Sequence, residues 1–211
     1  MSSQRQALLL LNGVLSEPAL VRRLARTCLL VCADGGARHA RALGLVPDVV
    51  AGDMDSLPRS LPRSWGRTNF VCDFDENSSD FEKALCFLAK AGSQRVYVAG
   101  LFGGRLDHCL VNLALARRFG RALRLVLVDR GMAMLLGPGR HRLSLKRGQL
   151  FSVLAEADAA NVSISGSRYA LKRQKLLPGG RGLSNKALGP VTLTVHSGLV
   201  WAMAPKEFKF S

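Results

Sequence analysis

Acidic residues are few in this chain. Fifteen Asp and Glu stand against 30 Lys and Arg, giving 211 residues a formal net charge of +15. A charge of that size admits a nucleic acid, an anionic membrane surface or an anionic small molecule as partner. Aromatics are scarce too, at 6%, and neither a zinc-ligand spacing nor a helix-turn-helix pattern is present, so a nucleic-acid binder would rest on charge alone. No uninterrupted apolar run reaches the roughly 18 to 20 residues of a membrane span. Met1 to Arg5 leads straight into Ala7-Leu8-Leu9-Leu10-Leu11 without a cleavable signal pattern. A soluble, cytoplasmic protein that binds no membrane is the expectation. Cys28, Cys32, Cys72, Cys86 and Cys109 are odd in number and form no C-x-x-C pair. They read as reduced, buried thiols rather than a disulfide framework. Internal repeats and low-complexity tracts are absent.

What the chain does have is apolar content, 48%, ample for one large core or two small ones. The positive charge is spread throughout: residues 1–130 carry 18 bases and 12 acids, and residues 131–211 carry 12 and 3. Against that background residues 48–82 hold eight acids and only Arg59, Arg63 and Arg67 as bases, a local excess of −5. An acidic island in a cationic protein calls for a cation. The arginine clusters Arg22-Arg23-Arg26 and Arg117-Arg118-Arg121 read mainly as solvated helix faces.

The first 130 residues alternate apolar runs with glycine-ended turns. Ala7 to Leu11, followed by Asn12-Gly13, predicts a buried strand. A helix opening at Glu17-Pro18 follows, with Leu20, Val21 and Leu24 as its apolar stripe. Cys28 to Ala33 is a second strand, ended by Asp34-Gly35-Gly36, where Asp34 suits the N-cap of a helix over Ala37 to Leu43. The run Asp48-Val49-Val50-Ala51 ends at Gly52 and delivers Asp53 and Asp55, two carboxylates one residue apart at a strand end. In open α/β sheets ligands bind beyond the carboxyl ends of the strands, so the place suits chemistry as well as the residue type does. After a loop containing Pro58 and Pro62, Asn69 to Cys72 is a short strand. Ser79 or Ser78 then caps a helix from about Asp80, which sets Asp80 and Lys83 on one face and Phe81, Leu85 and Leu88 toward the core. Arg95 to Gly100 delivers Gly103-Gly104-Arg105-Leu106-Asp107-His108, where glycines admit an anion to the backbone, Arg105 can fork onto phosphate and Asp107 can ligate a cation. His108 reads as a satisfied helix histidine. Leu123 to Val128 closes the parallel sheet.

From Gly131 the segments shorten and β-branched residues alternate. Strands are expected at Ala133 to Leu136, His141 to Leu145, Leu150 to Leu154, Val162 to Ser165, Val191 to His196 and Leu199 to Met203, with a glycine-rich loop running into Ser184-Asn185. The architecture expected is therefore α/β: an N-terminal, mostly parallel three-layer domain over residues 1–130, then an all-β sandwich or barrel over residues 131–211.

In order and spacing, Ala33-Asp34-Gly35-Gly36-Ala37, Gly52-Asp53-Met54-Asp55-Ser56, Ser79-Asp80-Phe81-Glu82-Lys83-Ala84-Leu85, Gly103-Gly104-Arg105-Leu106-Asp107-His108 and Ser184-Asn185 resemble the thiamine pyrophosphokinase family. The resemblance implies Mg²⁺-dependent transfer of pyrophosphate from ATP to the hydroxyl of thiamine. It also implies a homodimer whose sites lie between the ATP- and Mg²⁺-binding α/β domain of one subunit and the thiamine-binding β domain of the other. Asp53, Asp55, Asp80, Lys83 and Asp107 become the catalytic set, with Asp53, Asp55 and Asp80 on the metal. Asn12, Asp34, Gly35, Gly36, Lys83, Gly103, Gly104 and Arg105 fall to ATP. Glu76, Asp80, Asp107, Tyr169, Ser184 and Asn185 fall to thiamine, Tyr169 by the likeness of Gly166-Ser167-Arg168-Tyr169-Ala170-Leu171 to the family segment whose aromatic stacks on the pyrimidine. The residues alone leave Tyr169 equally open as a packed strand aromatic.

One departure stands out. Asp75-Glu76-Asn77 occupies the place where the family commonly shows Asp-Gln-Asp, so an anion replaces a neutral hydrogen-bonder near the expected thiamine. A Mg²⁺-dependent phosphoryl transferase acting on another small alcohol, and a basic nucleic-acid-binding protein, are the alternatives that the sequence leaves.

Overall fold

The computed structural model describes residues 6–57, 60–120, 122–156, 158–205 and, as backbone, 209–210. Pro58 of the expected loop and Arg121 of the basic cluster lie outside the described residues. The protein is mixed α/β, and the chain divides into two compact units, Met1–Asp129 and Arg130–Ser211.

The first unit is built from β1 (Gln6–Leu10), α1 (Pro18–Leu24), β2 (Leu29–Ala33), α2 (Ala37–Ala42), β3 (Val49–Gly52), β4 (Asn69–Cys72), α3 (Asp80–Lys90), β5 (Arg95–Ala99), α4 (Leu106–Phe119) and β6 (Arg124–Val128). Its six strands are all parallel, in the order β4-β3-β2-β1-β5-β6. Residues on both faces of β1 are buried, Ala7, Leu8, Leu9 and Leu10 all at 0% exposure, which is why this strand reads as an unbroken apolar run rather than an alternation. The chain winds outward from β1 through β2, β3 and β4, then returns to the other side of β1 with β5. That reversal opens a crevice at the carboxyl ends of β1 and β5, where such sheets take ligands. The loops at this point are closely apposed: Gly13 N–H donates to the Gly100 carbonyl at 2.8 Å and Val14 N–H to the Phe102 carbonyl at 2.7 Å.

The second unit holds β7 (Met132–Leu136), β8 (Gly139–Ser144), β9 (Leu150–Ala155), β10 (Ala160–Ser167), β11 (Leu171–Leu176), β12 (Asn185–Ser197), β13 (Val200–Ala204) and β14 (Lys209–Phe210). Every pairing within it is antiparallel. β13 lies between β7 and β9, while the long β12 pairs with β8 and β10 and, through Asn185 and Lys186, with β9. Period-two burial is clear in β13, where Val200, Ala202 and Ala204 are buried and Trp201 and Met203 are not.

Several expectations need correction. β12 begins at Asn185, six residues before the β-branched run that announces it. β11 has no sequence signal at all: Lys172, Arg173, Gln174 and Lys175 are exposed in succession, and charged side chains on a strand joined only to β10 among the described residues suit a sheet edge. Of the five thiols expected to be buried, Cys28 and Cys32 are, Cys86 and Cys109 are half-buried, and Cys72 is exposed at the end of β4. All five are free. No helix among the described residues is long and apolar enough to cross a membrane.

Candidate active site

Three carboxylates converge at the carboxyl ends of β2 and β3. Pairing of β2 with β3 sets Ala33 opposite Ala51, so the residues that follow each strand emerge side by side. Asp34 does not cap α2 as expected. It opens a single 3₁₀ turn over Asp34–Gly36 with φ at 31°, and α2 starts from the backbone of Gly36 without a side-chain cap. Its side chain turns instead toward β3, where Oδ2 accepts from Ser56 N–H at 3.1 Å. Asp53 Oδ1 accepts from Asp55 N–H at 3.2 Å, and Asp55 Oδ1 from the Ser56 hydroxyl at 2.8 Å. Met54 between them sits at φ 70°, the left-handed region a long side chain avoids. One carboxylate oxygen from each of Asp34, Asp53 and Asp55 lies within 4.8 Å of the others.

Gly52 makes this convergence possible. Its φ is 148°, and a Cβ there would stand 2.8 Å from Asp34 Cβ and 2.8 Å from Asp80 Oδ1, distances that leave no room for a methyl. Asp80, in the first turn of α3, thus reaches the same space beside Gly52 that Asp34 borders. The helix is capped as expected, Ser79 Oγ accepting from Glu82 N–H at 3.3 Å. Phe81, Leu85 and Leu88 are buried beneath it. The group able to hold a cation is Asp34, Asp53 and Asp55; Asp80, assigned to the metal by resemblance, stands beside that group and not in it.

So many carboxylates strain one another. Burial pushes the Asp34 carboxyl above its ordinary 3.8, against the two hydrogen bonds from Ser56, and Asp55 and Asp53 add repulsion. Burial also raises Asp80, followed by Asp34 and Asp53, with Lys83 opposing. Asp34 Oδ1 is buried with no hydrogen-bond partner among the described residues. An orphaned carboxylate oxygen in an all-oxygen donor set fits a hard divalent cation such as Mg²⁺. The sign of the linkage follows. A carboxyl whose folded pKa is raised binds protons more tightly folded than unfolded, so the metal-free protein loses stability as pH rises from about 3.8 through the raised values. Mg²⁺ should reverse that loss, and its gain in Tm should grow over the same window. Melting curves from pH 4 to 8 with and without Mg²⁺ check this; a gain independent of pH would refute it.

These groups border a cleft of about 410 Å³ lined by residues of the first unit only. Of the residues singled out in the sequence, Asn12, Asp34, Gly35, Asp53, Glu76, Asp80 and Lys83 line it. Gly36, next in the chain, is buried. The Lys83 ammonium is largely buried and donates to the Asp73 carbonyl at 2.7 Å. Gly103, Gly104, Arg105 and Asp107 are exposed and absent from the lining. The fork of Arg105 is engaged by Asp107, Nε to Oδ1 at 3.1 Å and Nη2 to Oδ2 at 2.5 Å, which brings the Asp107 carboxyl down to about 2. Sequence reasoning passed over Ser56, Phe74, Asp75, Ser78, His108 and Asn112 as lining residues. The four-residue spacing of His108 and Asn112 on α4 was the available signal: it puts both on one helix face, and that face borders the cleft. His108 is exposed there, not satisfied within a core.

The loop after β4 is organised by Asp75. Its Oδ1 accepts from Asn77 N–H at 3.0 Å and Asn77 Nδ2 at 3.1 Å, and its Oδ2 from the Ser78 hydroxyl. An aspartate at position 77 would set two carboxylates face to face, so Asn77 suits this arrangement where the commoner residue does not.

In the second unit Tyr169 is 58% exposed, with the Arg168 guanidinium 5.5 Å from its ring centroid. Asn185 is buried, and its amide is spent on the chain itself: Oδ1 accepts from Tyr169 N–H at 3.1 Å and Lys186 N–H at 2.8 Å, and Nδ2 donates to the Tyr169 carbonyl at 2.8 Å. Asn185 thus clamps the backbone that carries Tyr169. Ser184, at φ 54°, donates its N–H to Ser152 Oγ at 3.1 Å.

Comparison with known proteins follows the same residues. A family model described as thiamin pyrophosphokinase, catalytic domain, matches residues 21–136. The chain is 25% identical over 211 aligned residues to thiamine pyrophosphokinase 1 of Oryza sativa subsp. japonica, covering 85% of this chain and 80% of that protein. It is 26% identical to thiamine pyrophosphokinase 2 of Arabidopsis thaliana, covering 85% and 79%. Among solved structures, thiamine pyrophosphokinase from Bacillus subtilis superposes with a TM-score of 0.83 at 18% identity, over 96% of this chain and 100% of that one. The enzyme from Candida albicans gives 0.75 at 17% identity, over 95% and 89%. With more than half of its length matched by the family model, strands and carboxylate cluster included, the chain belongs to the thiamin pyrophosphokinase family.

Proposed function

We propose that the protein transfers the pyrophosphoryl group of ATP to the hydroxyl of thiamine, giving thiamine diphosphate and AMP, with Mg²⁺ held by Asp34, Asp53 and Asp55. The observation that carries this reading is the carboxylate group at the crest of the parallel sheet, one buried oxygen of which has no partner among the described residues, inside the stretch that matches the family model. Bound there, Mg²⁺ supplies the positive charge that phosphoryl transfer needs on its non-bridging oxygens. The chain's own groups do the positioning. Asn12 and the Gly35-Gly36 backbone border the nucleotide, Lys83 stands where a phosphate oxygen can exchange with the Asp73 carbonyl, and Asp80 orients the acceptor hydroxyl from beside Gly52. Gly103, Gly104, Arg105 and Asp107 complete the phosphate side when that loop meets its ligand. Glu76 receives the amino-pyrimidine. Tyr169, with Ser184 and with Asn185 behind it, belongs to the thiamine side of a site shared between two subunits, carried on a sandwich- or barrel-like β domain over residues 131–211. The α/β domain of residues 1–130 is the catalytic one. We place the enzyme in the cytoplasm, free of membrane and nucleic acid.

Incubation with ATP, Mg²⁺ and thiamine should yield AMP and thiamine diphosphate in equal amounts. ADP with thiamine monophosphate would refute the pyrophosphoryl mechanism, and a monomer in sedimentation would refute the shared site.

A further inference from the structure

Phe74 is 75% exposed, yet it lines the cleft. Single exposed apolar residues are commonplace; the setting of this one is not. The residue before it is fixed three ways: Asp73 N–H donates to the Gly52 carbonyl at 3.0 Å, the Asp73 carbonyl accepts from Lys83 Nζ at 2.7 Å, and Asp73 Oδ1 accepts from Asp75 N–H at 3.0 Å. The residue after it is Asp75, anchored by Asn77 and Ser78. An open ring is thus presented by a braced loop whose anchor, Gly52, is also the residue whose missing side chain leaves room for Asp34 and Asp80. Its sequence neighbours Asp73, Asp75 and Glu76 are anionic, and the Lys83 ammonium reaches this loop at the Asp73 carbonyl.

The charge of this rim decides which co-substrate the ring meets. ATP is a polyanion, and thiamine carries a permanent positive charge on its thiazolium ring. A rim of carboxylates repels the first and attracts the second, and an aromatic face attracts a cation further through its quadrupole. We infer that Phe74 walls the acceptor subsite, its ring packing on the cationic ring system of thiamine while the flanking carboxylates turn the triphosphate away from the ring, toward Lys83. This deepens the reading above and rests on it.

The test is steady-state kinetics with direct binding. Phe74→Ala should raise KM for thiamine about tenfold, the scale of a partly desolvated cation–π contact, with KM for ATP and kcat within about twofold of wild type. Phe74→Trp should restore thiamine KM. Because the side chain is exposed, neither variant has a core to lose. An ATP KM that moves while that for thiamine stays would assign the ring to the nucleotide and overturn the proposal, as would three unchanged constants. Calorimetric titration of wild type and Phe74→Ala with thiamine separates this inference from the reaction itself. Thiamine binding weakened by the substitution, in a protein that makes no thiamine diphosphate, would reject the proposed reaction and uphold the ring contact. A wild type that binds no thiamine would reject both.

Discussion

Asp34→Asn and Asp53→Asn are each expected to lower kcat by roughly 10³-fold, the scale on which preorganised charge at a transferring group acts. Both changes keep the side-chain shape and remove one negative charge from a cluster in which oxygens of three carboxylates lie within 4.8 Å. The metal-free fold should therefore be as stable as wild type or more so, because the burial that raises Asp34, and after it the repulsion from Asp55 and Asp53, no longer penalises a charge there. Activity lost while stability is kept or gained is the signature of a site whose charge serves chemistry, not folding. Turnover at saturating and limiting Mg²⁺, with Tm measured without metal, reads both sides. Near-wild-type turnover of both variants at limiting Mg²⁺ would reduce the cluster to an acidic turn.

Gly52→Ala should be nearly as damaging by a different route. It adds no charge and removes no ligand, yet the new methyl would meet Asp34 Cβ and Asp80 Oδ1 at 2.8 Å each, at a φ of 148° that alanine rarely adopts. The backbone strain alone costs about 1–3 kcal/mol. Displacing the two carboxylates by the few tenths of an ångström to an ångström needed for relief should lower kcat about 10²-fold or more, as misplacement on that scale does elsewhere. Chemical denaturation and kinetics measured on the same preparation check the pair of effects. A variant destabilised by that amount but fully active would show that the spacing across position 52 is not what the reaction uses.

Much of the first unit was legible because β1, β2, β3, β5 and β6 are buried along most of their length and stand out as apolar runs, whereas β4 is largely exposed. Asp53 and Asp55 were legible for the same reason, placed where the run in β3 stops. The partnership of Asp34 with them was not. Eighteen residues separate it from Asp53, and only the register of Ala33 on Ala51 brings the two strand ends together, while an Asp before a helix has a sufficient explanation as a cap. Phe74 was hidden by its loop, where periodicity says nothing about direction. In the second unit β11 escaped because Lys172, Arg173, Gln174 and Lys175 are polar and exposed in succession, and a polar residue at the end of a glycine-rich loop gave no hint that Asn185 is buried. Its hydrogen bonds to the Tyr169 backbone, at 3.1 and 2.8 Å, are tertiary information.

The strand order has a consequence for how the molecule comes into being. On one side β1 pairs with β2, Ala7 opposite Leu29; on the other it pairs with β5, Ala7 opposite Val96. The first contact closes a loop of 22 residues and the second one of 89, so the second carries the larger entropy of closure and, during synthesis, waits for a segment that has not yet left the ribosome. β2 and β3, which position Asp34, Asp53 and Asp55, are adjacent in sequence as well as in space. The acidic cluster can take shape on the nascent chain while the other wall of the crevice, at Gly100, is still unmade.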